Sequence, residues 1–172
     1  HYLPSGLNSR TPKNNYSIAL SLSDKLDTLV GFFGLDLIPT SSKDPYALRR
    51  MTIGLIKLII ENKKSFKLKE LIDYSCQLYS NQSINFDRKL IHTNLSVFII
   101  DRLKNFMKEK GIRQDIIESS LINFDLNNIF VIFTKADRLN KVIKKQVGID
   151  LIENYKRAFN ILNSETQMQN ED

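Results

Sequence analysis

Two carboxylates three residues apart are the first feature of this sequence that bears on chemistry. Asp24 and Asp27 lie in a stretch with helical periodicity, so they share one face of a predicted helix. Such a pair can hold a metal ion, act in acid–base chemistry, or accept charged hydrogen bonds from an arginine. It can also simply face solvent, which is the ordinary interpretation because neither His1 nor His92 lies near the pair in the sequence.

An arginine on the next predicted helix can supply a partner for this pair. Arg49 aligns with Ile53 and Ile56 on a stripe that is predicted to face the core. A buried guanidinium without a partner is unfavourable. We therefore predict that Arg49 pairs with Asp27 or Asp24 and ties the second helix to the first.

The neighbouring cations are better placed to meet a ligand. Arg50 falls on the polar stripe of the second helix and Lys43 precedes that helix, so both are candidates for contact with phosphate. On the last predicted helix, Glu153 and Lys156 belong to a polar line, which either faces solvent or binds a partner.

The charge balance alone does not identify a partner. Lys and Arg outnumber Asp and Glu by 25 to 19, which gives a formal charge of +6 and a pI of about 9.4. This mild basic bias fits an ordinary solvated surface as well as an anionic partner. The sequence has no glycine-rich phosphate loop, no dinucleotide fingerprint and no Cys/His cluster at metal spacing. We assign no catalytic and no metal-ligating residue to this chain.

The apolar and cysteine content bears on the compartment. Cys76, the single cysteine, excludes an internal disulfide, fits a reducing compartment and lies in line with Ile72 and Tyr79 as a predicted core thiol. No apolar run approaches the roughly 20 residues of a membrane span.

The chain opens at His1 without an initiating methionine, which predicts an excised segment of a longer protein.

The hydrophobic periodicity predicts an all-α fold, an irregular helical bundle without strands. The first helix is expected to end where Gly31 or Gly34 takes a left-handed cap, and the fourth to stop at Gly111. The second is expected to begin with Asp44 as its N-cap and Pro45 in its first turn. The predicted helices cover residues 16–33, 45–62, 68–79, 88–110, 114–122, 126–139 and 149–162.

Three runs of residues in a fixed order carry a resemblance to a known family. Residues 23–31 read Ser-Asp-Lys-Leu-Asp-Thr-Leu-Val-Gly, residues 38–40 read Ile-Pro-Thr, and residues 42–50 read Ser-Lys-Asp-Pro-Tyr-Ala-Leu-Arg-Arg. Their order and spacing closely resemble the β subunit of bacterial glycyl-tRNA synthetase, and the resemblance covers nearly the whole chain. Further runs fit the same family, at residues 1–4, 101–103 and 155–162.

The sequence departs from the family at three positions in one loop region. Asp36 and Ser41 stand where the family usually has glycine, and Tyr46 stands where it usually has phenylalanine. These departures bear on the conformation of the loop and leave the resemblance itself intact.

The resemblance implies a role in tRNA charging. In this family, α and β subunits form a cytoplasmic α2β2 heterotetramer that joins glycine to its tRNA at the expense of ATP. The α subunit holds the class II active site, where ATP and magnesium are used, whereas the β subunit recognises and positions the tRNA. This chain is then expected to bind glycine tRNA without a cofactor of its own, and the candidate contacts to phosphate are Lys43, Arg50, Lys156 and Arg157.

The resemblance also implies a domain organisation. Residues 1–82 correspond to the rear of a domain that resembles the HD phosphohydrolases, and residues 86–163 lead into an anticodon-binding module. Residues 164–172 have almost no apolar content, and that composition predicts a flexible tail. Asp24 occupies the place of a late aspartate that, in HD phosphohydrolases, completes a metal site with upstream histidines. Those ligands would precede His1, so we expect a structural relic in which Asp24 makes hydrogen bonds.

Two other functions stay open. A metal-dependent phosphohydrolase of the HD type would bind a divalent metal through Asp24, and this sequence lacks the partner histidines. A purely structural helical scaffold would touch only other protein. Metal binding would favour the first, and a lack of RNA affinity in the intact β subunit would favour the second.

Overall fold

The computed structural model describes residues 3–4, 9–40 and 43–168, with side chains described as far as residue 162. The regular secondary structure of these residues is helical. No strand occurs in that part of the chain, so the predicted all-α class is confirmed. The helices are α1 (Asn15–Gly34), α2 (Leu48–Glu61), α3 (Leu68–Asn81), α4 (Arg88–Glu109), α5 (Gln114–Ser120), α6 (Ile129–Ile143) and α7 (Gln146–Met168), with a 3₁₀ turn at Leu126–Asn128.

Helix α1 lies at the centre of the fold because apolar residues recur along it at helical spacing. It packs against α2, α3 and α4. Removal of each such side chain from water contributes about 1.5–3 kcal/mol. The predicted apolar stripe is confirmed, since each of its members is at most 5% exposed: Ile18, Leu22, Leu26, Leu29 and Phe33.

One apolar cluster runs through α1 to α6. Helix α4 extends this cluster because its buried residues recur every fourth position, at Ile91, Leu95, Ile99 and Leu103. The predicted domain boundary between residues 82 and 86 falls in the turn between α3 and α4, and the cluster is continuous across that turn.

Helix α2 begins at Leu48, three residues later than predicted. The chain first makes a turn, in which Pro45 lies, and Ala47 takes a left-handed φ of 55° just before the helix. Asp44 still serves the helix N-terminus, because its carboxylate accepts hydrogen bonds from the N–H groups of Leu48 at 2.8 Å and Arg49 at 3.0 Å. The aspartate therefore caps α2 from the far side of the turn.

The other helix ends agree only in part with prediction. No glycine caps α1, because the left-handed residue after this helix is Asp36, with a φ of 57°. Helix α4 ends as predicted, with Gly111 at a φ of 74°. Helix α7 continues to Met168, inside the predicted tail, and residues 169–172 of that tail lie outside the described residues.

The single cysteine lies in the apolar core. Cys76 is 1% exposed, so it is a core thiol as predicted, and burial raises its pKa. No described helix combines the length and the apolar character needed to cross a membrane.

Replacement of Asp44 with alanine removes both hydrogen bonds at the start of α2. We expect Asp44→Ala to lower the free energy of unfolding by about 1–2 kcal/mol, because two helical N–H groups lose their acceptor. Urea denaturation of the chain, followed by circular dichroism, measures this difference. Asp44→Asn keeps one acceptor oxygen and is the matched control, which should lose less. An alanine variant as stable as the parent would contradict the capping role.

Gly111 isolates the effect of backbone conformation, because among the described residues no atom beyond its two chain neighbours lies within 4 Å of the place that a Cβ would occupy. We expect Gly111→Ala to lower the free energy of unfolding by about 1 kcal/mol through left-handed strain alone. Gly111→Asn should lose less, since asparagine tolerates this conformation. The same denaturation experiment tests the idea, and equal stability of the alanine and asparagine variants would refute it.

Candidate functional site

Asp27 binds α3 and not an arginine. Its Oδ1 accepts a hydrogen bond from the Ser75 hydroxyl at 2.9 Å, and the Tyr79 hydroxyl donates to Oδ2 at 3.4 Å. Burial and then the Asp27 carboxylate raise the pKa of Tyr79, so that hydroxyl stays protonated and able to donate. Asp27 thus fastens α1 to α3.

Arg49 does not form the predicted ion pair. Its guanidinium donates to the backbone carbonyl of Thr40, and among the described residues no ion pair joins it to Asp24 or Asp27. The positions of the two side chains explain the difference. Arg49 lies in the first turn of α2. There the half-buried side chain lies beside residues 38–40 and α4, whereas Asp27 faces α3.

A cavity of about 580 Å³ lies between α1 and α3 and includes both carboxylates in its lining. Its apolar wall contains Leu20, Tyr74 and Leu78, which are all exposed. The Thr28 hydroxyl donates to the backbone carbonyl of Asp24 at 2.7 Å. The Asp24 carboxylate itself makes no hydrogen bond or ion pair within the described part of the chain, so the expected side-chain hydrogen bonds are not formed there.

The carboxylates of this cavity are not accompanied by further metal-binding side chains among the described residues. Among the side chains that the structure describes, no three His, Cys, Asp or Glu groups lie close enough together to hold a metal ion. Asp24 and Asp27 are thus two carboxylates on one cavity wall, one engaged by hydroxyl groups and one open to the cavity.

A buried lysine beside the carboxylate pair was missed by the sequence reasoning. Lys25 is 3% exposed, and its ammonium donates to the Ser21 hydroxyl at 3.1 Å, which in turn donates to the Leu3 carbonyl. Burial lowers the pKa of Lys25. The signal was present in the sequence, because Lys25 stands four residues from both Ser21 and Leu29 and therefore on the buried stripe of α1.

The four predicted phosphate contacts lie in two places in the fold. Lys43 precedes α2 and Arg50 lies in its first turn, whereas Lys156 and Arg157 lie on α7, which packs against α6. All four side chains are exposed, and within the described residues none of them forms a hydrogen bond or an ion pair. They are therefore open to an anionic partner.

Comparison with known proteins places the chain in one family. A family model described as the glycyl-tRNA synthetase beta subunit matches residues 1–122. Several curated relatives are named glycine–tRNA ligase beta subunit. The relative from Rickettsia bellii is 41% identical over 167 residues, which is 96% of this chain. The relative from Ruegeria sp. is 36% identical over 162 residues, or 94% of this chain.

The match extends across distant bacteria but covers only part of each relative. The relative from Clostridioides difficile is 33% identical over 158 residues, which is 92% of this chain. The chain spans 22–23% of the length of these relatives. Helices α6 and α7 lie beyond the part matched by the family model but within the reach of the pairwise matches. The chain belongs to the glycyl-tRNA synthetase beta subunit family.

Proposed function

We propose that this chain is a tRNA-contacting part of a glycine–tRNA ligase β subunit, which binds and positions the tRNA for an active site on another subunit. The observation that carries the proposal is the family match, which extends over 92–96% of the chain in the relatives described above. In this proposal the full protein works as an α2β2 heterotetramer, and ATP and magnesium act on the α subunit.

The exposed cations support the RNA part of the proposal. Lys43 and Arg50 stand on either side of the turn that Asp44 closes, and the carboxylate of Asp44 is held by two backbone N–H groups. That arrangement keeps the carboxylate engaged with the helix N-terminus while the two cations stay exposed. When exposed lysine and arginine side chains bind the phosphates of a nucleic acid, they displace the counterions that surround its backbone, which favours binding.

The contribution to catalysis would be positional. Contacts to phosphate carry no sequence information of their own, but they fix the register and orientation of the bound nucleic acid. Correct placement of a reacting group removes much of the entropic part of a barrier. A tRNA end held in register by this chain would therefore react faster at a separate active site.

The first test removes the two cations around the start of α2. We expect Lys43→Gln/Arg50→Gln in the intact β subunit, assembled with the α subunit, to bind glycine tRNA more weakly. The slope of log affinity against log salt concentration should become shallower by about 1 for each lost phosphate contact. Binding titrations at several salt concentrations measure both quantities. Lys89→Gln/Lys108→Gln removes the same charge from the surface of α4 and is the matched control.

The second test asks whether α7 shares the RNA surface. Lys156→Gln/Arg157→Gln should weaken binding of glycine tRNA and reduce the salt slope in the same way, because both side chains are exposed and unpaired within the described residues. If both double variants and the control bind tRNA like the parent, the four candidate contacts are wrong. A parent subunit with no affinity for tRNA would overturn the proposed function itself.

A further inference from the structure

A cleft of about 580 Å³ lies between the end of α1, the loop at residues 38–40 and the middle of α4. This cleft, which we call the α1–α4 cleft, is distinct from the cavity over the carboxylate pair. Apolar side chains form much of its wall, including Phe33, Pro39 and Phe98. Its volume falls within the range of sites that take small molecules or parts of larger ligands.

The α1–α4 cleft carries a surplus of positive charge. Arg49, Arg102 and Lys104 line it, and Asp101 is the carboxylate in the same lining. Asp101 pairs with Arg102, whereas the guanidinium of Arg49 donates to the Thr40 carbonyl and forms no ion pair within the described residues. The half-buried Lys104 ammonium forms no hydrogen bond or ion pair within the described residues. Two cations are thus free to act on an anion.

Arg102 has an unused hydrogen-bonding group. Its guanidinium lies 5.3 Å from the centre of the Phe98 ring, and its side chain is only 16% exposed. The buried Nε has no hydrogen-bond partner in the described structure. Such a donor is unfavourable where it stands. A phosphate that drew the guanidinium away from Asp101 would supply oxygens for both Nε and an Nη group in a two-pronged contact.

The wall beside these cations is suited to an apolar ring. Phe98 is half-buried and packs edge-to-face on Phe33 at 5.2 Å between ring centres. Val97, the preceding residue on α4, lines the same cleft and is 63% exposed. Cations next to a flat apolar surface are the combination with which proteins bind single-stranded nucleic acid, the phosphate on the charges and the base on the apolar face.

We propose that the α1–α4 cleft binds one unpaired nucleotide of RNA, with its phosphate at Arg49, Arg102 and Lys104 and its base against Val97 and Phe98. This inference rests on the proposed function, since it names the site at which tRNA is held. A paired nucleotide would present its phosphate but keep its base in the duplex, and the apolar wall would stay uncovered. The combination of charge and apolar wall therefore selects an unpaired nucleotide.

The position of the cleft fits a longer RNA path. Ile38 and Pro39 line both the α1–α4 cleft and a neighbouring hollow that contains Lys43. The two sites are therefore adjacent along the loop before α2. An RNA strand that leaves the cleft along this loop would pass Lys43, which is one of the cations predicted to contact phosphate.

The charged part of the site is tested with Lys104→Gln in the intact β subunit assembled with the α subunit. We expect the affinity for glycine tRNA to fall about tenfold at low salt. The salt slope should become shallower by about 1. Lys89→Gln removes the same charge from the same helix outside the cleft, and it should bind tRNA like the parent. Equal binding by the two variants would overturn the cleft proposal.

The apolar part of the site is tested at Val97. Val97→Ser should weaken tRNA binding about threefold. Its salt slope should stay unchanged, because no charge is lost. A photoreactive amino acid at position 97 should crosslink to a nucleotide that is unpaired in the tRNA. A crosslink within a duplex, or to the α subunit in place of RNA, would overturn the proposal.

The outcomes separate the two levels of inference. If the parent subunit binds tRNA with a steep salt dependence but Lys104→Gln binds equally well, the cleft proposal fails and the proposed function stands. If Lys104→Gln disrupts assembly with the α subunit and leaves tRNA affinity unchanged, the cleft is a protein interface and the proposal fails. A parent that binds no tRNA at any salt concentration overturns both.

Discussion

Burial of α1 is the constraint on which the rest of this structure depends. Leu29 and Val30 are fully buried, and three helices are needed to cover the apolar surface of this one. Since water is excluded on these sides, the polar residues of α1 must find partners in the gaps between neighbours. Asp27 meets hydroxyl groups of α3, Lys25 meets Ser21 against the segment at residues 3–4, and Asp24 opens into a cavity.

The surfaces proposed to bind RNA follow from the same packing. Because α4 also lies against α1, the end of α1 and the middle of α4 enclose a cleft with arginine and lysine side chains in its wall. Ile38 and Pro39, in the loop before α2, line this cleft, and Asp44, further along the chain, has its carboxylate held by the helix N-terminus. The Asp44 carboxylate lies near the proposed RNA path. Because backbone N–H groups bind it, it repels phosphate less than a free carboxylate would.

Helix α7 carries a line of exposed apolar side chains. It packs against α6, yet Val147, Leu151 and Tyr155 on its surface are 67–75% exposed. These side chains recur every fourth residue, so they form one apolar line along the helix. Lys156 and Arg157 follow directly after this line. The helix therefore offers both an apolar and a charged surface, and the proposed RNA contacts use only the charged one.

The sequence by itself determined the helical class, the buried stripe of α1, the core position of Cys76, the end of α4 at Gly111 and, through residues 23–50, the family. These features are local, because periodicity and backbone preference act over a few residues. Tertiary structure alone decided which groups meet. Arg49 reaches the carbonyl of Thr40 because the first turn of α2 lies beside the loop at residues 38–40, and Asp27 reaches Ser75 because α3 packs against α1. Lys104 lines a cleft for the same reason. The cleft is formed by α4 together with the end of α1 and the loop at residues 38–40, so it exists only once these elements have packed.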